Sequence, residues 1–188
     1  MNTKELLKII KDRRNTKSFS EKEVQKTDIE FILESGIWAP NHRNTEPWRF
    51  VVVDKFSPVK KVISGAMIDL QEENSNTSLT DEQKKNIIFS VDKSPCFIFV
   101  FTTIGENDEI TEENYGAVCC AIQNMQLTAT TLGLGVGWST GKISKLKNLN
   151  TILGVDQTLK IVGVLSIGYA DSNIEKSREE FKNLTKWI

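Results

Sequence analysis

The chain of 188 residues predicts a single α+β or α/β layered domain, on three observations. Short β-branched or apolar runs alternate with longer stretches whose apolar residues recur at helical spacing. Turn-forming residues punctuate the junctions, and no repeat, linker or low-complexity tract divides residues 1–188. A chain this long buries roughly 70% of its unfolded surface, so it holds a core without disulfides or a structural metal.

The first helix starts at Thr3, carries Leu6, Leu7, Ile9 and Ile10 at helical spacing, and stops at Arg13 in a basic turn. Thr27 and Glu30 have the pattern of a capping box, opening a second helix whose Ile29, Ile32, Leu33 and Ile37 share a face that runs out near Gly36. Two prolines and a run of polar turn-formers make residues 39–47 a loop, and the β-branched stretch 49–53 a strand. Ser57 and Pro58 suit the start of a third helix running toward Gln71, followed by a polar break at 74–78. Thr80 and Gln83 form another capping-box pattern, for a helix that ends before Pro95. Residues 96–102 then read as a fully buried strand. The longest predicted helix, 116–131, is nearly apolar all round, which places it in the core or at a subunit interface. Stretches 136–138 and 161–167 complete the strands, with a short helix around 146–149 between them and a charged amphipathic segment at 179–187. Propensity leaves the strand order open.

Lys plus Arg number 24 against 25 Asp plus Glu, interspersed along the chain, so no basic block tracks a nucleic-acid backbone and any positive site is local. No apolar run approaches the length of a membrane span, and Lys8 interrupts the stretch that a signal peptide would need. A cytoplasmic protein is the expectation. Cys96, Cys119 and Cys120 form no CxxC pair, which favours reduced structural thiols, and a single His leaves no usual zinc ligand set.

Four stretches have the composition to carry chemistry. Arg13, Arg14 and Lys17, with Asn15, Thr16 and Ser18 between and beside them, concentrate cations and hydrogen-bond donors at a helix end, which suits an anion; the alternative is a solvated charged turn. Asn41, His42, Arg43 and Asn44, fixed between Pro40 and Pro47, suit the edge of a planar polar ligand, and a lone loop His reads first as a hydrogen-bonding residue. Gly133, Gly135 and Gly137 do not have dinucleotide-binding spacing and lead from a helix into a strand, so they read as a helix stop and tight turn. Ser139, Thr140 and Gly141 just beyond can present backbone N–H groups. Lys176 and Arg178 are either a phosphate clamp or a solvated tail.

Together these stretches resemble the FMN-dependent nitroreductase family over nearly the whole chain. Residues 13–19 are similar to its N-terminal Arg-x-Ser-x-Arg/Lys-x-Phe motif, with Asn15 in place of Ser. Ala39-Pro40 through Asn44, Glu46, Pro47, Trp48 and Phe50 resembles its Ala-Pro-Ser-x-x-Asn-x-Gln-Pro-Trp-x-Phe motif, with Glu46 in place of Gln. Residues 133–141, the Gly168-Tyr169 pair and the Lys-x-Arg pair that follows are also similar. The loop from Asn41 to Arg43 further resembles a subgroup of short nitroreductase-like proteins in which Trp38 and His42 would line the cofactor site.

The resemblance implies an α+β nitroreductase-like sandwich with a central, mostly antiparallel sheet flanked by helices. It implies a domain-swapped-type homodimer with FMN at the interface. Arg13 and Asn15 would hold the phosphate end with Lys176 and Arg178 completing the clamp, Arg14 would be a further cofactor contact, and Lys17, the catalytic assignment, would lie beside flavin N1 and the C2 carbonyl. Asn44 would reach the pyrimidine edge from the other subunit, backbone N–H groups at Ser139 or Thr140 would face N5, and Gly141 would allow close approach. The implied activity is NADH or NADPH oxidation through FMN with two-electron, ping-pong reduction of a small-molecule acceptor of nitroaromatic or quinone type. Two alternatives stay open: a non-catalytic flavin-binding sensor or carrier, and the same scaffold applied to reductive dehalogenation, flavin reduction or enone reduction.

Overall fold

The structure is a computed structural model and describes residues 2–172 and 175–188. The fold is built around β2 (Cys96–Thr102), whose CFIFVFT sequence is buried at every position. Such a run needs partners on both edges and cover on both faces. It pairs antiparallel with β1 (Trp48–Val53) on one side and β4 (Lys160–Gly168) on the other, and β4 in turn pairs antiparallel with β3 (Gly135–Ser139). The sheet order among the described residues is β1-β2-β4-β3, which bears out the predicted α+β class and supplies the order that propensity left open.

The two-residue period of a strand divides the β2 side chains between two cores. Ile98 and Val100 face α2 (Lys26–Ile37) and α5 (Asp108–Thr131), where Ile29, Ile32, Val118, Ile122 and Met125 are buried. Phe97, Phe99 and Phe101 face the opposite layer with Ile63 of α3 (Val59–Ser75), Val91 of α4 (Asp81–Asp92) and Leu149 of α6 (Leu149–Leu153). No helix among the described residues is long and apolar enough to cross a membrane.

Local differences from the sequence reading have physical causes. The Thr80 box forms as predicted, with both reciprocal bonds to Gln83 present. The Thr27 box does not: α2 begins at Lys26 after Gln25, which makes no side-chain cap, so Thr27 is already inside the helix. A capping box forms instead at α1 (Thr3–Asp12), where Asn2 and Glu5 exchange bonds. The predicted helix 116–131 starts earlier, at Asp108, because Asn107 accepts from the Ile110 N–H at 2.9 Å and the acidic residues that follow favour a helix N-terminus. Within one protomer Ala117, Ala121 and Met125 of α5 are buried in the core while Gly116 and Cys120 are exposed. α3 runs past Gln71 to Ser75 and ends on Asn76 in the left-handed region. The loop 39–47 contains a 3-10 turn, His42–Asn44, and the segment 179–187 forms only a turn, Phe181–Leu184.

Candidate functional site

After α1 the chain leaves the helix at Arg13 and runs along the open edge of β3. Asn15 bridges Val136 in parallel, and the Thr16 N–H donates to the Val136 carbonyl at 3.0 Å. The Asn15 side-chain oxygen accepts from the Trp138 N–H at 2.7 Å, and Phe19 bridges Ala170 beyond the end of β4. This crossing explains two of the glycines. A Cβ at Gly137 would overlap the Thr16 carbonyl, and one at Gly135 would overlap the Thr16 side chain. Gly133, at φ +73, is the helix stop that the sequence predicts, whereas Gly135 and Gly137 lie in β3 rather than in a turn and keep room for the basic segment.

The segment opens onto a cleft of about 550 Å³ whose lining includes Arg13, Arg14, Asn15, Lys176 and Arg178. Five of the sequence-predicted residues thus meet at one place. Arg13 donates through Nη1 to Gln126 Oε1 at 3.1 Å, and Gln126 is itself 2% exposed on the largely apolar inner face of α5. Sequence reasoning missed Gln126; its signal was a polar residue at a core position of that helix. Arg14 folds back through Nη1 onto the Arg13 carbonyl at 2.9 Å and onto the Lys11 carbonyl, closing the end of α1. Burial lowers the Arg13 pKa, and the neighbouring charges of Arg178 and then Arg14 lower it further. Like charges are therefore held close enough to repel, and an anion in the cleft relieves that repulsion.

Lys17 lies farther along the same segment and lines a separate, smaller cleft of about 250 Å³ with Phe89, Lys93, Ser94 and Ser166. Ser139, Thr140 and Gly141 are exposed at the end of β3, next to the Trp138 N–H that Asn15 holds; the Gly141 N–H donates to Ser139 Oγ at 3.1 Å.

The remaining predicted residues sit elsewhere in the protomer. Trp38, at the end of α2, is 78% exposed, and His42 and Asn44 are exposed on the 39–47 loop. That loop is fixed to α5 by His42 Nδ1 against Glu113 Oε1 at 2.8 Å and by Thr45 Oγ1 donating to Asn114 Oδ1 at 2.8 Å. Arg43, Asn44 and Glu46 all have positive φ, a conformation that costs energy in residues with a Cβ and persists only where surrounding contacts impose it. Glu113 and Gln126 are thirteen residues apart on α5, so the His42 loop and Arg13 are anchored about 20 Å apart along the helix. A single protomer does not bring Trp38, His42 and Asn44 to the cationic cleft.

An antiparallel sheet between two helical layers, with a cationic cleft where a basic segment crosses its edge strand, defines an α+β protein. The chain belongs to the nitroreductase family, whose model matches residues 10–169. It is 30% identical over 163 residues to YfhC of Bacillus subtilis, which carries the name of an NAD(P)H nitroreductase; the match spans 87% of this chain and 83% of that protein. The crystal structure of a nitroreductase-like family protein from Bacillus cereus superposes with a TM-score of 0.82 at 28% identity, covering 97% of this chain and 95% of that one. A nitroreductase structure from Desulfovibrio desulfuricans in complex with FMN superposes with a TM-score of 0.76 at 25% identity, covering 100% and 98%.

Proposed function

We propose that the protein is an FMN-dependent oxidoreductase that oxidises NADH or NADPH and reduces a small-molecule acceptor of nitroaromatic or quinone type in a ping-pong cycle. The observation that carries this reading is the convergence of Arg13, Arg14, Lys176 and Arg178 on one cleft. The donor set fits the group: guanidinium and ammonium donors match a phosphate dianion, and the repulsion between Arg13 and Arg178 is relieved by one. FMN held there supplies a carrier that takes hydride from a nicotinamide and yields two electrons to an acceptor.

The chain's own residues supply binding, orientation and charge. Arg13, Lys176 and Arg178 hold the phosphate, while Gln126 orients the Arg13 guanidinium from inside the core. Asn15 ties the basic segment to β3, so the phosphate end and the loop of Ser139, Thr140 and Gly141 stay in register. Lys17 is assigned to the pyrimidine end, where its ammonium would stabilise the negative charge that reduction adds. Trp38, His42 and Asn44 reach the site from a second copy of the chain, an arrangement supported by the 20 Å that separates their anchor from Arg13 within one protomer.

The test is a visible spectrum of the purified protein, with FMN added if it is colourless, followed by NADH or NADPH under nitrogen. Bound flavin that bleaches supports the enzyme, and failure to bind FMN overturns the cofactor assignment. Binding without bleaching by either nucleotide points to a carrier or sensor.

A further inference from the structure

The cleft beside Lys17 contains a second cation that the phosphate end does not account for. Lys93, at the junction of α4 and β2, lines the same 250 Å³ as Lys17. Its backbone is fixed from both sides. Lys60 of α3, 3% exposed, donates from Nζ to the carbonyl of Asp92 at 3.4 Å and to that of Ser94, the residues on either side of Lys93. The Lys93 N–H itself donates to the Phe89 carbonyl at 2.9 Å, closing α4. A buried lysine spent on two carbonyls is a costly way to fix a turn, and the turn it fixes carries the second lysine of the cleft.

Two features of this cleft leave polar groups without a protein partner. Ser94 is among its lining residues and is 6% exposed, and its Oγ is buried without a hydrogen-bond partner among the described residues. Buried hydroxyls are rarely left in that state. Lys17 makes no ion pair or hydrogen bond among the described residues, although Asp171 is close by. That carboxylate pairs with Lys93, at 3.7 Å, and accepts from Ser18 Oγ at 3.0 Å. The cleft thus presents one unpaired lysine, one lysine loosely held by an exposed carboxylate, and an unpartnered hydroxyl.

We propose that Lys93 and Asp171 act as a charge-setting pair for the flavin end that Lys17 serves: Lys93 adds to the positive field that favours the reduced cofactor, and Asp171 holds that field in check. The assignment rests on the FMN reading above. Neither residue transfers an electron or a proton; each acts through its charge, so the readout is the relative affinity for oxidised and reduced FMN, measured as the midpoint potential of the bound cofactor. For a two-electron couple, a tenfold change in that ratio is about 30 mV.

Lys93→Met is expected to weaken the preference for reduced over oxidised FMN about tenfold, moving the potential negative. Asp171→Asn is expected to move it positive, and Lys93→Arg to restore the wild-type value. Opposite signs from the two neutralising changes separate a charge effect from general loosening, which would move both variants the same way. The pair assignment is overturned if Lys93→Met and Asp171→Asn bind FMN and leave the potential within twofold of wild type in that ratio, or if both shift it in one direction. A potential that moves in Lys17→Met but in neither of the other two overturns the pair and leaves the FMN reading intact; a wild-type chain that takes up no FMN overturns both.

Discussion

Lys60 and Arg13 both keep their charge in half-dry surroundings, for different ends. Around Lys60, burial is the largest influence and lowers its pKa from the ordinary lysine value, while the charge of Asp92 is the largest influence pulling it back. Between that lowered value and the ordinary one, the unfolded chain binds the proton and the folded chain releases it, so this residue makes stability rise with pH across that window; below it the full cost of burying the charge is present. Cys96 works the other way. Burial pushes its thiol up to about 12, so above about pH 9 the unfolded chain loses that proton first and stability falls. Lys60→Met should therefore lose about 1–3 kcal/mol at neutral pH through the two orphaned carbonyls, less the relief of burying a charge. Its deficit against wild type should widen as pH climbs toward the ordinary lysine range, because only wild type gains there; thermal melts of both proteins between pH 7 and 10.5 check this, and parallel curves would contradict it. Arg13→Ala removes a charge-assisted contact to the proposed phosphate, and a loss of about 1.5–3 kcal/mol corresponds to FMN binding weakened roughly tenfold to a hundredfold in a fluorescence titration. The placement of Arg13 and Arg14 at one cleft was legible from the density of cations in residues 13–17. Gln126 and Lys60 were not legible, because only the packed structure shows that a polar side chain at a core position has something to hold.

The elements show where local chemistry decides and where tertiary contact does. The Thr80 box formed as its local pattern predicts, and the CFIFVFT strand was plain because six apolar residues and the β-branched Thr102, bounded by Pro95 and Thr103, admit little else. The first two turns of α5 were hidden by their acidity: DEITEENY reads as a solvated loop until Asn114 is found buried against Thr45 and Thr103. The glycines of β3 were misread as a turn because their constraint comes from a segment 120 residues away in sequence. That constraint is testable by a pair of identical changes. Gly137→Ala places a methyl on the Thr16 carbonyl, so it should displace residues 13–17 from the sheet edge, cost about 1–3 kcal/mol and weaken FMN binding with it. Gly65→Ala, in α3, meets nothing within 4 Å and should stabilise the protein by about 0.5–1 kcal/mol through helix propensity. Denaturant melts of the two variants separate the cases; a Gly137→Ala protein as stable as wild type would mean that the crossing segment is free to move.

At the scale of the whole molecule, the protomer leaves large apolar side chains uncovered in two stretches. Phe31, Ile37 and Trp38 of the α2 region are 57%, 50% and 78% exposed. Phe181, Leu184 and Trp187 near the C-terminus are 67%, 71% and 88% exposed, on a segment that returns to no core of its own chain. Such an arm gains nothing from the protomer that carries it, and its sequence, charged residues around three large hydrophobes, suits a surface that becomes half-buried on a second copy. Full burial of those three side chains is worth about 1.5–3 kcal/mol each before the cost of ordering the arm. The full chain should therefore elute near twice its 21.2 kDa monomer mass at micromolar concentration. A chain ending at Arg178, which keeps every residue of the cationic cleft, should dissociate at concentrations where the full chain stays paired. Because Asn44, His42 and Trp38 are assigned to the partner's cofactor, the shortened chain should lose FMN affinity on dilution in step with its mass, as light scattering and flavin fluorescence on the same samples would show. Retention of FMN by a monomeric shortened chain would instead make the Arg13 cleft sufficient by itself and remove the 39–47 loop from the site.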